Sequence, residues 1–320
     1  MTRSATVTGP EGQVLEQILQ EATGEDLTGL TDADIRALAK RLWDWAETVP
    51  AGQQEVRITP HADGAKGALG RSLLEVAGPD MPFLVDSLLN ECAAQGHEVK
   101  TLFHPVVTLA DGRRISVIQI HTSRITSEEA NILEEGVRHT LADVGRAVSD
   151  HAAMKARMRA EMKRLSGLTH IHSAERDEAV AFLEWLQKEH YVFLGSREYD
   201  FETDSDGRVL PVEPVTVEGS NLGILRDDNL NVLSRDSEPL VINQQIGEFL
   251  SHPAPLIIAK STLPARVHRR VPCDYIGVKK YDAQGRVNGE VRFLGLFTAE
   301  AYDETARTIP FVRRRVQKIM

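Results

Sequence analysis

The stretch Gly78-Pro79-Asp80-Met81-Pro82-Phe83-Leu84-Val85-Asp86-Ser87-Leu88-Leu89 decides how the middle of the chain folds. The apolar run Leu73-Leu74-Glu75-Val76-Ala77 precedes it, and Cys92, Ala93 and Gln95-Gly96-His97 follow. A β-type run through Val99, Leu102, Val106 and Val107 comes next. The order reads as strand, tight loop, helix, strand. Asp80 has the type and place of a helix N-cap, with Pro82 in the first turn, where a missing N–H costs nothing.

Working outward, Asp111-Gly112 marks a hairpin, and Ile115 to His121 alternates apolar residues on one parity. Ser127 to Val148 reads as a helix with Ile132, Leu133, Val137, Leu141 and Val144 on one stripe, and Asp150 to Leu165 as a second helix. A further strand, which would complete a βαββαβ unit, is not evident after them. Before the central stretch, Gly12–Ala22 is weakly helical. Thr31 caps a stronger helix with Asp34 in its first turn, Glu55–Thr59 reads as a short strand, and Asp63–Gly70 as a flexible linker.

Ser173 opens another helix, and Tyr191-Val192-Phe193-Leu194-Gly195 starts a strand-rich block. Short β runs recur at Gly223–Leu225, Leu240–Ile242, Leu256–Ala259, Ala265–His268, Tyr275–Lys280 and Val291–Phe297, with a turn at Ala283-Gln284-Gly285-Arg286. They fit an antiparallel sheet covered by one helix. Ile309–Met320 reads as a helix whose apolar stripe runs to the last residue, as expected of a chain cut from something longer. The fold class expected is α+β, in tandem small domains joined by helices.

The net charge of -10 argues against a general nucleic-acid binder. From Lys260 onward 13 Lys and Arg face 6 Asp and Glu, a local balance of +7, so the remainder carries -17. A basic end on an acidic body suits contact with another protein surface. Cys92 and Cys273 are the two cysteines, too distant in sequence for a disulfide framework or a zinc pair, and a reducing cytoplasm is expected. No signal peptide or membrane span is legible.

Four blocks carry a family resemblance. They are Asp80–Ser87 with Leu102-Phe103-His104-Pro105-Val106; Phe182–Leu186 with Tyr191–Tyr199; Val267–Val271 with Asp274–Lys279; and Arg292–Thr298 with Ala301-Tyr302. In this order the chain, from about residue 72, resembles the N-terminal region of the large multidomain bacterial NAD-specific glutamate dehydrogenase. The resemblance implies an ACT-like unit followed by a PAS-like antiparallel sheet unit, with the catalytic domain and its NAD far downstream. The expected organisation is an N-terminal helical segment and short strand over 1–66, an ACT-like domain with long C-terminal helices over 67–168, a PAS-like domain over 169–305 and the start of a further helix over 306–320. The expected partners are the parent's own catalytic domain and other copies of the subunit, with an amino-acid effector. The alternative from another class is a free-standing ACT-type amino-acid sensor or scaffold.

The residues agree with a non-catalytic fragment. No Gly-x-Gly-x-x-Gly joins a strand to a helix, the glycine-rich substrate lysine of glutamate dehydrogenases is missing, and no catalytic cluster, metal site or cofactor signature can be assembled. His170-Ile171-His172 lacks the further ligands zinc needs, and His104 reads as a structural histidine. Two readings remain for Asp80, Met81, Pro82, Phe83 and Leu84. Their backbone N–H groups could hold an amino-acid carboxylate at the helix N-terminus, or Asp80 simply caps the helix. ACT-type ligand loops carry Gly where Phe83 stands, so its ring is expected to fill the pocket; a fully buried ring would make Phe83→Gly cost ~3–5 kcal/mol. Arg266, Arg269 and Arg270 form the remaining candidate, an anion or interface contact.

Overall fold

The structure, a computed structural model, describes residues 11–22, 27, 31–60, 71–210, 212–230, 254–305, 307–311 and 313. The expected linker at 63–70 and the β run at 240–242 lie outside the described residues, as do 312 and 314–320 of the expected last helix. The chain divides into two compact units. The first comprises residues 1–144 together with Arg266–Arg270, and the second comprises 145–265 with 271–320.

In the first unit, helices α1 (Gly12–Glu21) and α2 (Asp32–Thr48) precede strands β1 (Glu55–Thr59) and β2 (Ser72–Pro79). Helix α3 (Leu84–Ala94), strands β3 (Val99–Phe103), β4 (Val106–Thr108) and β5 (Arg114–Thr122), and helix α4 (Ser127–Ser166) follow. Thr31 starts α2 as expected: its hydroxyl accepts from the Asp34 N–H while the Asp34 carboxylate accepts from the Thr31 N–H at 2.8 Å, a capping box. The sheet is antiparallel throughout, in the order β1-β2-β5-β3, with β4 also on β5. His104-Pro105 interrupts the strand expected to run unbroken to Leu109, because proline has no N–H for the ladder.

The place in the sheet left open by the lack of a strand after the helices is taken by β1, the short strand expected at Glu55–Thr59. It pairs with β2, so residues assigned to a separate N-terminal segment complete this sheet. Side chains alternate across the strands. Ala77, Phe103, Val107, Ile115 and Val117 pack with Val14, Ile18, Ile35, Leu42, Trp43 and Trp45 of α1 and α2. Leu74, Val76, Ile118 and Ile120 have the opposite parity and are buried, as are Leu84, Leu88 and Cys92 of α3 and Leu133, Val137 and Leu141 of α4.

Helix α4 is one 40-residue element, not the two helices expected to meet near Asp150. Ser149 and Asp150, at the expected junction, do not start a new helix. The Ser149 hydroxyl donates back to the Arg146 carbonyl. Asp150 accepts from the Gly223 N–H at 2.7 Å and from Arg226 at 2.5 and 2.8 Å. Its carboxyl is held below the usual range, first by the Arg226 hydrogen bond and against its own burial.

The second unit takes the C-terminal half of α4, then α5 (Ser173–Trp185) and a π-turn at Leu186–His190 that ends at Glu189 with φ 65°. Strands β6 (Tyr191–Asp200), β7 (Val215–Thr216), β8 (Leu222–Gly223), β9 (Leu256–Pro264), β10 (Pro272–Tyr281) and β11 (Val287–Phe297) form a second antiparallel sheet, and a short helix covers Ala299–Asp303. The strand order is β7-β6-β11-β10-β9, with β8 on β6. Met154, Met158 and Leu165 of α4 and Phe182, Leu183 and Leu186 of the α5 region pack on Tyr191, Phe193, Ile276, Val278, Val291 and Phe293. The expected turn at 283–286 joins β10 to β11. Leu225 lies in a 3-10 turn rather than a strand. Ala265–His268, read as a strand, is not one: its polar groups go elsewhere, as described next.

Candidate functional site

The Asp80–Leu84 loop leaves β2 and enters α3, but not as an Asp-capped helix. The residue before the first helical turn is Phe83, with φ 72° and ψ 0°, and no side chain caps α3. Pro82 therefore precedes the cap instead of occupying the first turn. Asp80 is exposed and pairs with Arg114 across the sheet end at 2.8 Å, and its N–H donates to the Arg114 carbonyl. Met81 and Phe83 are half-buried, Pro82 is exposed and Leu84 is buried in the core. Sequence places these five residues correctly at the strand–helix junction, but it misses the left-handed turn at Phe83, which a bulky residue rarely adopts.

The neighbour of this loop is the chain itself. The Phe83 ring lies 5.4 Å from the His268 ring, tilted by 48°. The Ser87 hydroxyl donates to the Phe83 carbonyl at 2.6 Å and accepts from the His268 N–H at 2.9 Å. The Asn90 amide donates to the His268 carbonyl at 2.8 Å, and His268 Nδ1 sits 3.0 Å from the Asp86 carboxylate. Two residues on, Arg270 reaches Glu91 at 2.5 Å. Arg266 reaches Asp143 of α4 at 3.3 Å. Two of the three arginines offered to an anion are thus engaged with carboxylates of the first unit.

Glu91 is the floor of this arrangement, with 5 % of its side chain exposed. Burial alone would push its carboxyl up. The Gln95 amide at 2.8 Å, the Arg270 charge and the Thr140 hydroxyl at 3.0 Å outweigh burial and hold it below the usual range. Gly136 makes room for it: a Cβ there would stand 2.3 Å from Glu91 Oε1. Glu91 looks in sequence like an exposed helical glutamate. The one signal against that reading is its i, i+3 and i+4 spacing from the buried Leu88 and Ser87.

Two further polar clusters have buried members. Beneath α2, Arg41 holds Glu75 at 2.7 Å, Glu75 accepts from Gln119 at 2.7 Å, and Gln119 meets His121 at 3.0 Å. Burial, then the Arg71 charge, draw His121 down to about 4. On the second sheet, the face opposite the apolar core carries Arg197, Tyr199, Tyr275, Lys279, Glu290 and Arg292, all buried. Tyr275 donates to Glu290 at 2.6 Å, Arg292 also pairs with Glu290, and the Arg292 guanidinium lies 4.1 Å over the Tyr199 ring. Burial draws Lys279 down to about 8 against the pull of Glu290.

The histidines behave structurally where the sequence suggested it. His104 Nε2 meets the Ser116 hydroxyl at 2.7 Å, and burial lowers its pKa. His172 caps α5 through Nδ1, and His170 stands edge-on to Tyr281. Among the described residues no group of three or more His, Cys, Asp or Glu is placed to hold a metal ion, and no helix is long and apolar enough to cross a membrane.

Residues 14–158, which overlap most of the first unit, match the family of the glutamate dehydrogenase ACT1 domain. The chain as a whole is similar to NAD-specific glutamate dehydrogenase, which upholds the resemblance carried by the four sequence blocks. It is 30% identical over 318 residues to that enzyme of Halomonas elongata, covering 92% of this chain and 19% of the relative. It is 29% identical over 326 residues to that of Pseudomonas aeruginosa, covering 95% and 20%. The chain therefore spans about a fifth of the length of these relatives. Among solved structures, an RNA-binding light-oxygen-voltage receptor aligns over 93% of this chain and 91% of its own at 11% identity, with a TM-score of 0.17, which carries no argument about fold.

Proposed function

We propose that this chain is a non-catalytic regulatory and assembly region, lying N-terminal in a cytoplasmic NAD-dependent glutamate dehydrogenase. The parent reaction would convert glutamate and NAD to 2-oxoglutarate, ammonia and reduced NAD, with NAD held by a catalytic domain outside this chain. The observation that carries the reading is similarity along more than nine-tenths of this chain to about a fifth of a much longer dehydrogenase. The ACT1 match over 14–158 adds the type of the first unit. We read the second unit as PAS-like, on its antiparallel sheet with helices packed against one face. Its opposite face carries the buried polar residues Arg197, Tyr199, Tyr275, Lys279, Glu290 and Arg292, with Tyr275, Glu290 and Arg292 bonded to one another and Arg197 to the Leu225 carbonyl. The partners of such a region are the catalytic domain and other copies of the subunit.

A replacement experiment tests the reading. This chain is grafted into the Halomonas elongata enzyme in place of the stretch that aligns with it. The chimera is expected to assemble as the parent does and to reduce NAD with glutamate, while the isolated chain shows no turnover. Steady NAD reduction by the isolated chain, or a chimera that is folded but neither assembles nor turns over, would overturn it.

A further inference from the structure

The segment Arg266–Arg270 stands in sequence between β9 and β10 yet belongs to the first unit, and the way it is held resembles ligand recognition more than core packing. Both main-chain groups of one residue, His268, are read by side chains of α3: its N–H by Ser87 and its carbonyl by Asn90. Ser87 and Asn90 are three residues apart and so share a helix face. The side chains on either side are read by carboxylates. Asp86 takes the imidazole of His268, and Glu91 takes the guanidinium of Arg270. This is the scheme by which peptide-binding modules work, with main-chain hydrogen bonds for affinity and a charged pocket for specificity.

The contact is polar and stores strain at both partners. His268 has φ 65° and Phe83 has φ 72°, each a left-handed conformation that is strained for a non-glycine residue. The pocket itself is built independently of the segment. Gln95, Thr140 and the absence of a side chain at Gly136 all shape the Glu91 carboxylate from α3 and α4 alone.

We propose that Asp86, Ser87, Asn90 and Glu91 form a peptide-recognition site, specific for a main-chain pair followed two residues later by a guanidinium, and that Arg266–Arg270 occupies it in cis as an exchangeable ligand. The proposal goes beyond the dehydrogenase reading and does not depend on it. While the segment is seated, the mouth of the Asp80–Leu84 loop is taken by His268. A competitor must bring a cation to Glu91 to displace it.

The test uses a variant of the chain in which Arg266–Arg270 is replaced by five Gly and Ser residues, and a fluorescent synthetic peptide of residues Thr262–Pro272. The peptide is expected to bind the variant saturably and at least about tenfold more tightly than it binds the unaltered chain. Glu91→Gln in the same background should lose about tenfold in affinity. Absence of saturable binding to the folded variant, equal binding to the unaltered chain, or no effect of Glu91→Gln would overturn the proposal. A second measurement covers a replacement that fails to fold. Asn90→Ala removes one main-chain hydrogen bond and leaves α3 intact, and should raise the rate of tryptic cleavage after Arg266, Arg269 or Arg270 several-fold over the unaltered chain. An unchanged rate there would also count against exchangeability.

Discussion

Substitutions at Phe83 separate two physical effects of opposite sign, the burial of its ring and the strain of its backbone. A fully buried ring in a helix would make Phe83→Gly a loss of ~3–5 kcal/mol. In the structure the ring is half-buried against His268, and the residue stands before the helix at φ 72°. Full burial of a Phe side chain is worth ~1.5–3 kcal/mol, so half of it gives ~1–1.5 kcal/mol. The left-handed backbone costs a non-glycine residue ~1–2 kcal/mol, most of which glycine recovers after its larger unfolded-state entropy is counted. Phe83→Gly should then be nearly neutral, within about 0.5 kcal/mol, while Phe83→Ala, which loses the ring and keeps the strain, should lose ~1–1.5 kcal/mol. Urea denaturation followed by the fluorescence of Trp43 and Trp45, in a Trp185→Phe background, reports on the first unit. A glycine variant as unstable as the alanine variant, or worse, would refute the reasoning.

Three more outcomes are expected. His121 should titrate near pH 4 by NMR; because its folded pKa lies below the ordinary value of 6.5, its contribution to stability is complete above about pH 6.5 and falls away as the pH drops toward 4, so a midpoint near 6.5 would show that the Glu75–Gln119–His121 cluster is open to water. Glu290→Gln should cost ~3–5 kcal/mol in urea denaturation by leaving the Arg292 charge buried, and Glu290→Gln with Arg292→Met should recover much of it; a single variant within 0.5 kcal/mol or so of the parent would mean the pair is solvated. Gly223→Ala should cost roughly 2–5 kcal/mol, since φ is 62° there and a Cβ would stand 2.1 Å from the Leu194 carbonyl oxygen; a neutral result in the same assay would contradict the β6–β8 register.

What was legible in the sequence was local. The Thr31–Asp34 capping box, the turns at Asp111-Gly112 and Ala283–Arg286, and the alternation of Ile115–His121 each depend on neighbours within a few residues. What failed depends on distant partners. Ala265–His268 alternates like a strand, but the N–H and carbonyl of His268 are taken by Ser87 and Asn90, some 180 residues earlier, and the Ala265 N–H donates to the nearby Val271 carbonyl. Ser149-Asp150 reads as a break because Asp caps helices, whereas here Arg226 and Gly223 engage its carboxylate sideways. Glu290 and Arg292 have the spacing of a solvent-facing strand; only Gly277, opposite Arg292 on β10, and Tyr275 two residues before it hint that the face is covered. For the loop at Asp80, the junction of strand and helix was readable, and its occupant was not.

The position of β1 has a consequence for how the chain can be extended. A four-stranded sheet whose last place is filled by a strand arriving after the second helix must bring the chain back to itself, and that helix is then confined to the length of the sheet. Here the place beside β2 is taken by residues that come before it, so nothing obliges the chain to return. The helix that leaves Thr126 does not return the chain to the sheet, and its 40 residues span about 60 Å; Leu133, Val137 and Leu141 are buried in the first unit, and Met154, Met158 and Leu165 in the core of the second. An early strand has converted a structural closure into an exit.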